Sequence, residues 1–458
     1  MSNITYDKLS VAGVEYISIE SLEIRQCVNC HATAAISMVV EYEKGRNAVD
    51  SANEKEVISI LADKKAIFCG VIQKAGVNYE KGYCLLKLEL ISTSILWDLQ
   101  KKNRSYQVIG TDFGEIILQS TNGQGVIVNY AMPKASESVV VQYQETTWQF
   151  MLRMAAYMET AVFVDAASVV PKIKIGVSGE EAKKGQERVS GETGGAGSSE
   201  AVIALGSIKG SGIIRYIKST ISKGTLESYY AYARLEDMIP DYNRPFYIGK
   251  IFSGIVQSVN QTAIQVWIPE LDDSFDKGSN AWFPYSTAYS TSVNGAGIYC
   301  MPVKDDPVRV FLPSERLKDI FSSSGSVMRG IVEDKEERCF CTPDGMNILF
   351  AKDGLSVSTK TNKAFIKLHK DGSIAIASAK SIYVISKSNI DMQAVNGLVE
   401  ISAENKIQMV TPYSYVGLGN VHNGNEVYMV SDKIYVGIKG EEGETRRLCG
   451  QNTLRNGM

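Results

Sequence analysis

Cys27-Val28-Asn29-Cys30-His31 spells C-x-x-C-H, the spacing at which two thioethers and an imidazole hold a c-type haem. Attachment of that kind takes place outside the cytosol. The chain opens Met1-Ser2-Asn3-Ile4-Thr5-Tyr6-Asp7-Lys8, without the basic stretch and apolar core of a secretion signal, so assembly in the cytosol is expected. The motif also sits inside Leu22 to Glu41, a β-branched, apolar segment that reads as strand and not as the start of a helix. Only His369 and His422 remain as histidines elsewhere, so a second axial ligand is scarce. The motif therefore reads as a chance match. A zinc site that recruits Cys69 or Cys84 is the weaker alternative. The remaining cysteines are scattered and reduced thiols are expected; Cys339 and Cys341, two apart, share one strand face and are expected to be inert.

The carboxylate pairs Asp272-Asp273 and Asp305-Asp306 have the types for general acid–base work, but both lie in turn-like surroundings and read as solvated loops. Three histidines in 458 residues, with no G-x-S-x-G, H-E-x-x-H or P-loop, argue against a hydrolase. No catalytic, cofactor or metal site is expected. Forty-eight basic against fifty-one acidic residues give a net charge of −3, which offers no field for nucleic acid or an anionic membrane. No apolar run approaches the length of a membrane span.

The strongest pattern carries no chemistry at all. From Phe365 to Met409, apolar pairs recur every eight residues: Ile366/Leu368, Ile374/Ile376, Ile382/Val384 and Ile390/Met392. One extra residue enters near Asn396-Gly397, after which Val399/Ile401 and Ile407/Met409 resume the step. A spacing of two inside each pair puts both side chains on one strand face, and the fixed period is a solenoid signal. Eight residues are too few for one chain to wind around its own core. Three intertwined chains, each supplying one wall of a triangular β-prism, solve the problem. Thirty-six inward side chains at roughly 1.5–3 kcal/mol each give on the order of 50–100 kcal/mol, an upper bound because the unfolded chain is partly collapsed. The alternative is a meander of antiparallel hairpins. It asks for Gly-containing turns at each reversal, and only Asp371-Gly372 and Asn396-Gly397 supply them.

Length suggests roughly three domains, and the pattern is mainly β. Residues 10–42 and 55–130 read mostly as short strands, with turns such as Lys81-Gly82 and Asn122-Gly123. One helix is expected at Thr146–Thr160, opened by a capping box from Thr146 and Gln149. Residues 178–200, rich in Gly, Ser and Glu, read as a mobile loop. Strands at Lys250–Val259, Thr262–Pro269, Ala281–Tyr285, Tyr299–Val303 and Val308–Leu312 suit a small OB-type barrel. The expected order is a base of two β-barrel-like domains over 1–240, an OB domain over 245–335, the trimeric β-prism over 340–439, and an end segment over 440–458.

That order of parts resembles the VgrG spikes of type VI secretion and the hub and spike proteins of contractile phage tails and related injection particles. By that resemblance the parts are hub, OB module, needle and tip. Ala66–Ile72 resembles the family's F-x-G-x-V strand, and Tyr83–Leu99 its strand and helix ending in a Trp-Leu pair. Val141 to Met154 resembles Q-Y-x-E-[ST]-D-[FW]-x-F-x-x-R-L, with Gln142, Tyr143, Glu145, Trp148, Phe150 and Arg153 in register and Thr147 in place of the usual Asp. Gly249-Lys250-Ile251 and Val266–Pro269 look like the opening of the OB module. The resemblance implies a non-enzymatic homotrimer, assembled in the cytoplasm and delivered with a particle. It implies inner-tube and baseplate proteins, a PAAR-like tip protein and possible effector cargo as partners, and a target envelope touched in passing. It supplies neither a lysozyme domain nor a His-x-His iron tip here.

Overall fold

The computed structural model describes residues 4–44, 49–50, 57–80, 82–177, 195–198, 204–209, 212–242, 244–289, 298–325, 334, 336–412, 415–420, 425–430, 435–436, 446–447 and 453–455. The chain is mainly β and forms two compact units, residues 1–328 and 329–458.

The first unit begins with β1 (Leu9–Ala12), β2 (Ser18–Cys27), β3 (Thr33–Val40), β4 (Ile58–Ala62), β5 (Lys65–Glu80) and β6 (Tyr83–Ser92). Period-two alternation drives them together. Ala34, Ile36, Met38 and Val40 on β3 and Leu86, Leu88 and Leu90 on β6 are all buried in one core, while the residues between them are more exposed. Gly82 takes φ +93° at the expected turn between β5 and β6.

Next come β7 (Lys101–Tyr106), α1 (Phe113–Ser120), β8 (Val126–Asn129), β9 (Val140–Thr146), α2 (Thr147–Tyr157), β10 (Val162–Val164) and β11 (Lys172–Ile175). The two helices share a core with Trp97, Ile173 and Ile175. Helix α2 stands where the capping box placed it: Gln149 N donates to Thr146 Oγ1 (3.1 Å) and Thr146 N to Gln149 Oε1 (3.2 Å). Helix α1 adds a helix that the mostly-strand reading of 55–130 did not place. Asp112 caps it by accepting from Gly114 N at 2.9 Å, and Phe113, Ile116 and Ile117 fall on its buried face. Asn122-Gly123 ends that helix instead of turning a hairpin.

Strands β12 (Gly195–Ser198), β13 (Ile208–Lys209), β14 (Gly212–Ser222) and β15 (Thr225–Ala233) return to the first sheet, whose order is β1-β4-β5-β6-β3-β2-β14-β15-β12 with β13 on β14. Most of the expected loop 178–200 lies outside the described residues, but 195–198 within it is a strand paired to β15.

Strands β16 (Lys250–Val259), β17 (Ala263–Trp267), β18 (Phe283–Pro284), β19 (Pro307–Leu312) and β20 (Phe321–Ser324) follow, in sheet order β18-β17-β16-β19-β20. A parallel bridge from Tyr285 to Ser322 joins the two edges into a near-barrel. Its fifth strand is β20, not Tyr299–Val303. Pro302 removes a ladder donor from the expected segment, whereas Phe321-Ser322-Ser323-Ser324 lacks the apolar alternation that marks a strand. Val139, just before β9, and Val141 on it enter the barrel core beside Phe252 and Val256, so the preceding elements and the barrel belong to one compact unit.

In the second unit, β21 (Arg338–Cys341), β22 (Asn347–Ala351), β23 (Gly354–Ser358), β24 (Ala364–His369) and β25 (Ile374–Ser378) form an antiparallel meander in sequence order. The single chain thus takes the hairpin alternative over the first two octads. Gly372, at φ +90°, permits the β24–β25 reversal. Residues 379–405 hold no strand or helix. Beyond them β26 (Lys406–Val410), β27 (Tyr415–Asn420), β28 (Asn425–Val430), β29 (Tyr435–Val436), β30 (Arg446–Arg447) and β31 (Thr453–Arg455) complete the described elements. Strand β31 pairs back onto β28; the rest of the expected tip, apart from β30, lies outside the described residues.

Candidate functional site

Several of the groups whose types could do chemistry are held in structural bonds. The C-x-x-C-H segment is the turn joining β2 to β3. His31 Nδ1 meets Ser94 Oγ at 2.8 Å, its Nε2 lies 3.4 Å from Asp98 Oδ2, and its ring sits 4.3 Å from the Trp148 ring. Burial lowers the His31 pKa against the opposing pull of Asp98. Cys69 is buried and its thiol points to the Ala167 carbonyl, while Cys84 points to that of Tyr42. Among the described residues, no group of three or more His, Cys, Asp or Glu is placed to hold a metal. Cys339 and Cys341 share a strand face as expected, paired across to Leu349 and Asn347.

Asp305-Asp306 is a turn: Asp305 takes φ +72° and Asp306 Oδ2 accepts from Val303 N at 2.8 Å. Asp272 departs from the solvated-loop expectation. It is partly buried, accepts from Ser105 N at 2.9 Å and from the Ser105 hydroxyl, and its carbonyl accepts from Trp267 Nε1 at 2.9 Å. Burial raises its pKa. It straps β7 to the barrel along one wall of a polar cleft of about 990 Å³, and Asp273 beside it is exposed.

The motif from Gln142 to Arg153 builds a joint of the same kind. Arg153 Nε and Nη2 bind both oxygens of Glu145, at 3.0 and 2.7 Å, and Nη2 also donates to the Val141 carbonyl at 2.7 Å. Its Nη1 donates to Tyr157 OH at 3.2 Å, and Tyr157 in turn donates to Glu315 beyond β19. Arg153 is 2 % exposed, so a bidentate partner is what makes its charge tolerable there. Gln142 Nε2 donates to the Glu145 carbonyl at 3.2 Å. These residues tie α2 and β9 to the loop between β19 and β20 of the barrel.

What stands open is the second unit. Cross-strand neighbours in a sheet share a face, and the register aligns Phe340, Ile348, Val357, Ile366 and Ile376 in one row, with Phe350, Leu355, Leu368 and Ile374 in the next. Nine large apolar side chains therefore lie on one face of the meander, and Ile374 is 66 % exposed. The structure brings Ile366, Leu368, Ile374 and Ile376 together on this face. Ile382, Val384, Ile390, Met392, Val399 and Ile401 lie in the strandless stretch and are all exposed, Met392 to 68 %. Ile407 and Met409 sit on β26, opposite Leu418 and Val416.

No family model matches the chain, and no curated protein matches it. Solved structures do. One is the E. coli c3393 protein, a component of the type VI secretion system with structural similarity to the T4 bacteriophage tail proteins gp27 and gp5. It is 15% identical, covering 69% of this chain and 99% of that chain, with a TM-score of 0.45. The Francisella PdpA–VgrG complex in its lidded form is 9% identical over 80% of this chain and 79% of that chain, at a TM-score of 0.47. The 43 kDa tail protein of prophage MuSo2 from Shewanella oneidensis is 9% identical over 51% and 98%, at 0.36. The chain resembles VgrG and phage-tail proteins. At these identities the likeness concerns fold, and what the chain does rests on its own residues.

Sequence reading from Phe365 onward missed the start of the apolar face. Ile348/Phe350 and Leu355/Val357 carry the same period-two pairing, but Ile366 stands eleven positions after Leu355, so these pairs fall outside the eight-residue step. Asp112 and Glu115 around Phe113 are a cap signal for α1 that the β-branched Ile116-Ile117 obscured.

Proposed function

We propose that this chain is the non-catalytic hub and spike of a contractile injection apparatus and works as a homotrimer. The observation that carries the reading is the apolar face of β21–β25 continuing into the exposed pairs from Ile382 to Ile401. Large exposed apolar surfaces mark sites of association. The eight-residue repeat makes an identical copy the occupant that matches it along its whole length. Three copies contribute a shared core that no single chain can build, and continuous ladders then make the assembly stiff. In this role the first unit seats on the inner tube and baseplate, and the second is driven into the target envelope by force generated elsewhere in the particle.

Gly440–Met458 is proposed as the docking end for a PAAR-like tip protein, since a solenoid end needs a cover. The test of the whole reading is the mass of the native particle, with Ile382→Asp as the disrupting variant. A stable species at three times 50.2 kDa that is lost in the variant supports it. A variant that keeps the same stable trimer counts against it. Truncation after Lys439 is expected to leave the trimer intact and abolish tip recruitment and delivery. Fully active truncated particles would remove the tip assignment.

A further inference from the structure

Cys27 and Cys30 are the first and fourth residues of the turn between β2 and β3, closed by Cys30 N donating to Cys27 O at 3.3 Å. A closed four-residue turn brings its end Cα atoms within about 7 Å, overlapping the roughly 4.4–6.8 Å that a disulfide spans. Asn29 takes φ +60° at the third position, where Asn is tolerated. The turn is held from outside: Val28 N donates to Arg215 O and Asn29 N to Val162 O, each at 2.9 Å. The Asn29 side chain donates to Met238 O at 2.7 Å and accepts from Val162 N at 2.9 Å. His31 is engaged by Ser94 and Asp98 and takes no part. Both thiols are free, Cys30 exposed and Cys27 partly buried.

We propose that Cys27 and Cys30 form a thiol–disulfide exchange site whose oxidising substrate is a small accessible disulfide, glutathione disulfide being the probe. Cys30, as thiolate, attacks one sulfur of the probe; the S–S bond breaks, one glutathione thiolate leaves, and a Cys30–glutathione disulfide forms. Cys27 then loses its proton and attacks Cys30 Sγ, expelling the second glutathione. Two cysteine thiols are oxidised, the probe is reduced by two electrons, and the two protons end on the two glutathiones. The side-chain hydrogen bond from Cys27 brings the Cys30 thiol down to about 6, while Cys27 is raised. That division suits an exposed attacking group and a resolving one behind it.

The test treats the full-length protein with glutathione disulfide and maps its peptides without reduction. Expected is a Cys27–Cys30 disulfide in the natural chain, and in Cys27→Ser a glutathione adduct that persists on Cys30. Alkylation near pH 6 should run roughly tenfold faster at Cys30 than at Cys300, after allowing for the weaker nucleophilicity of a more acidic thiol. Cys300 is exposed and has no cysteine within reach of one turn. A glutathione adduct that accumulates unresolved on the natural chain would overturn the proposal, as would Cys30 reacting no faster than Cys300.

Discussion

In residues 1–328 most large apolar side chains of the strands are buried in four cores, the last member being Ile320. Beyond residue 328 no large apolar side chain among the described residues is buried, and the same residue types on the same kind of strand lie open. The difference is one of closure. In the first unit each sheet curls or is covered by helices, so alternation yields an inside and an outside. The meander of β21–β25 has an apolar face and nothing of its own to lay on it. One region finds its folding partner along its own sequence; in the proposed assembly the other finds it in another copy.

Ile382→Asp should break that contrast most completely. In a shared core, three carboxylates meet at one level, and each buried charge costs several kcal/mol even after relaxation, so the variant should run as monomer. The first unit should keep its strand signal by circular dichroism. Arg153→Met probes the opposite side. Removing one member of a buried pair while leaving Glu145 charged costs about 3–5 kcal/mol, which should lower the melting of the first unit. The native mass should stay unchanged, because the joint lies inside one chain.

How far these regions could be read in advance follows the same division. Strands β5 and β6, helix α2 with its capping box, and the Lys250–Val259 hairpin were legible because period and caps are local signals, whereas Leu22 to Glu41 read as one strand and is divided into β2 and β3 by the turn at Cys27–Cys30. The short strand β20 was not, since Ser322 to Ser324 gain their place from pairing with Val308 and Val310. Asp272 read as a loop residue because its partner Ser105 is distant in sequence. The octad pointed to association but not to the path of one chain: Ile366 pairs with Ile376 across a hairpin, and an intertwined wall would present the same side chains from the same sequence.

The smallest expected effect lies at His31. Burial holds its pKa below the ordinary value, so the unfolded chain takes up the proton first. Stability from this residue is therefore full above pH ~6.5 and declines as pH falls, at no more than about 1.4 kcal/mol per pH unit, until the folded-state pKa is passed. Melting curves on either side of that pH should show the loss in the natural chain and a smaller one in His31→Gln. An equal loss in both would place the acid sensitivity elsewhere.

The central claim is that the second unit is completed by identical copies. The mass of the native full-length protein over a dilution series tests it most directly. The account predicts a particle of three times 50.2 kDa that persists on dilution. A stable, fully soluble monomer at 50.2 kDa would contradict it.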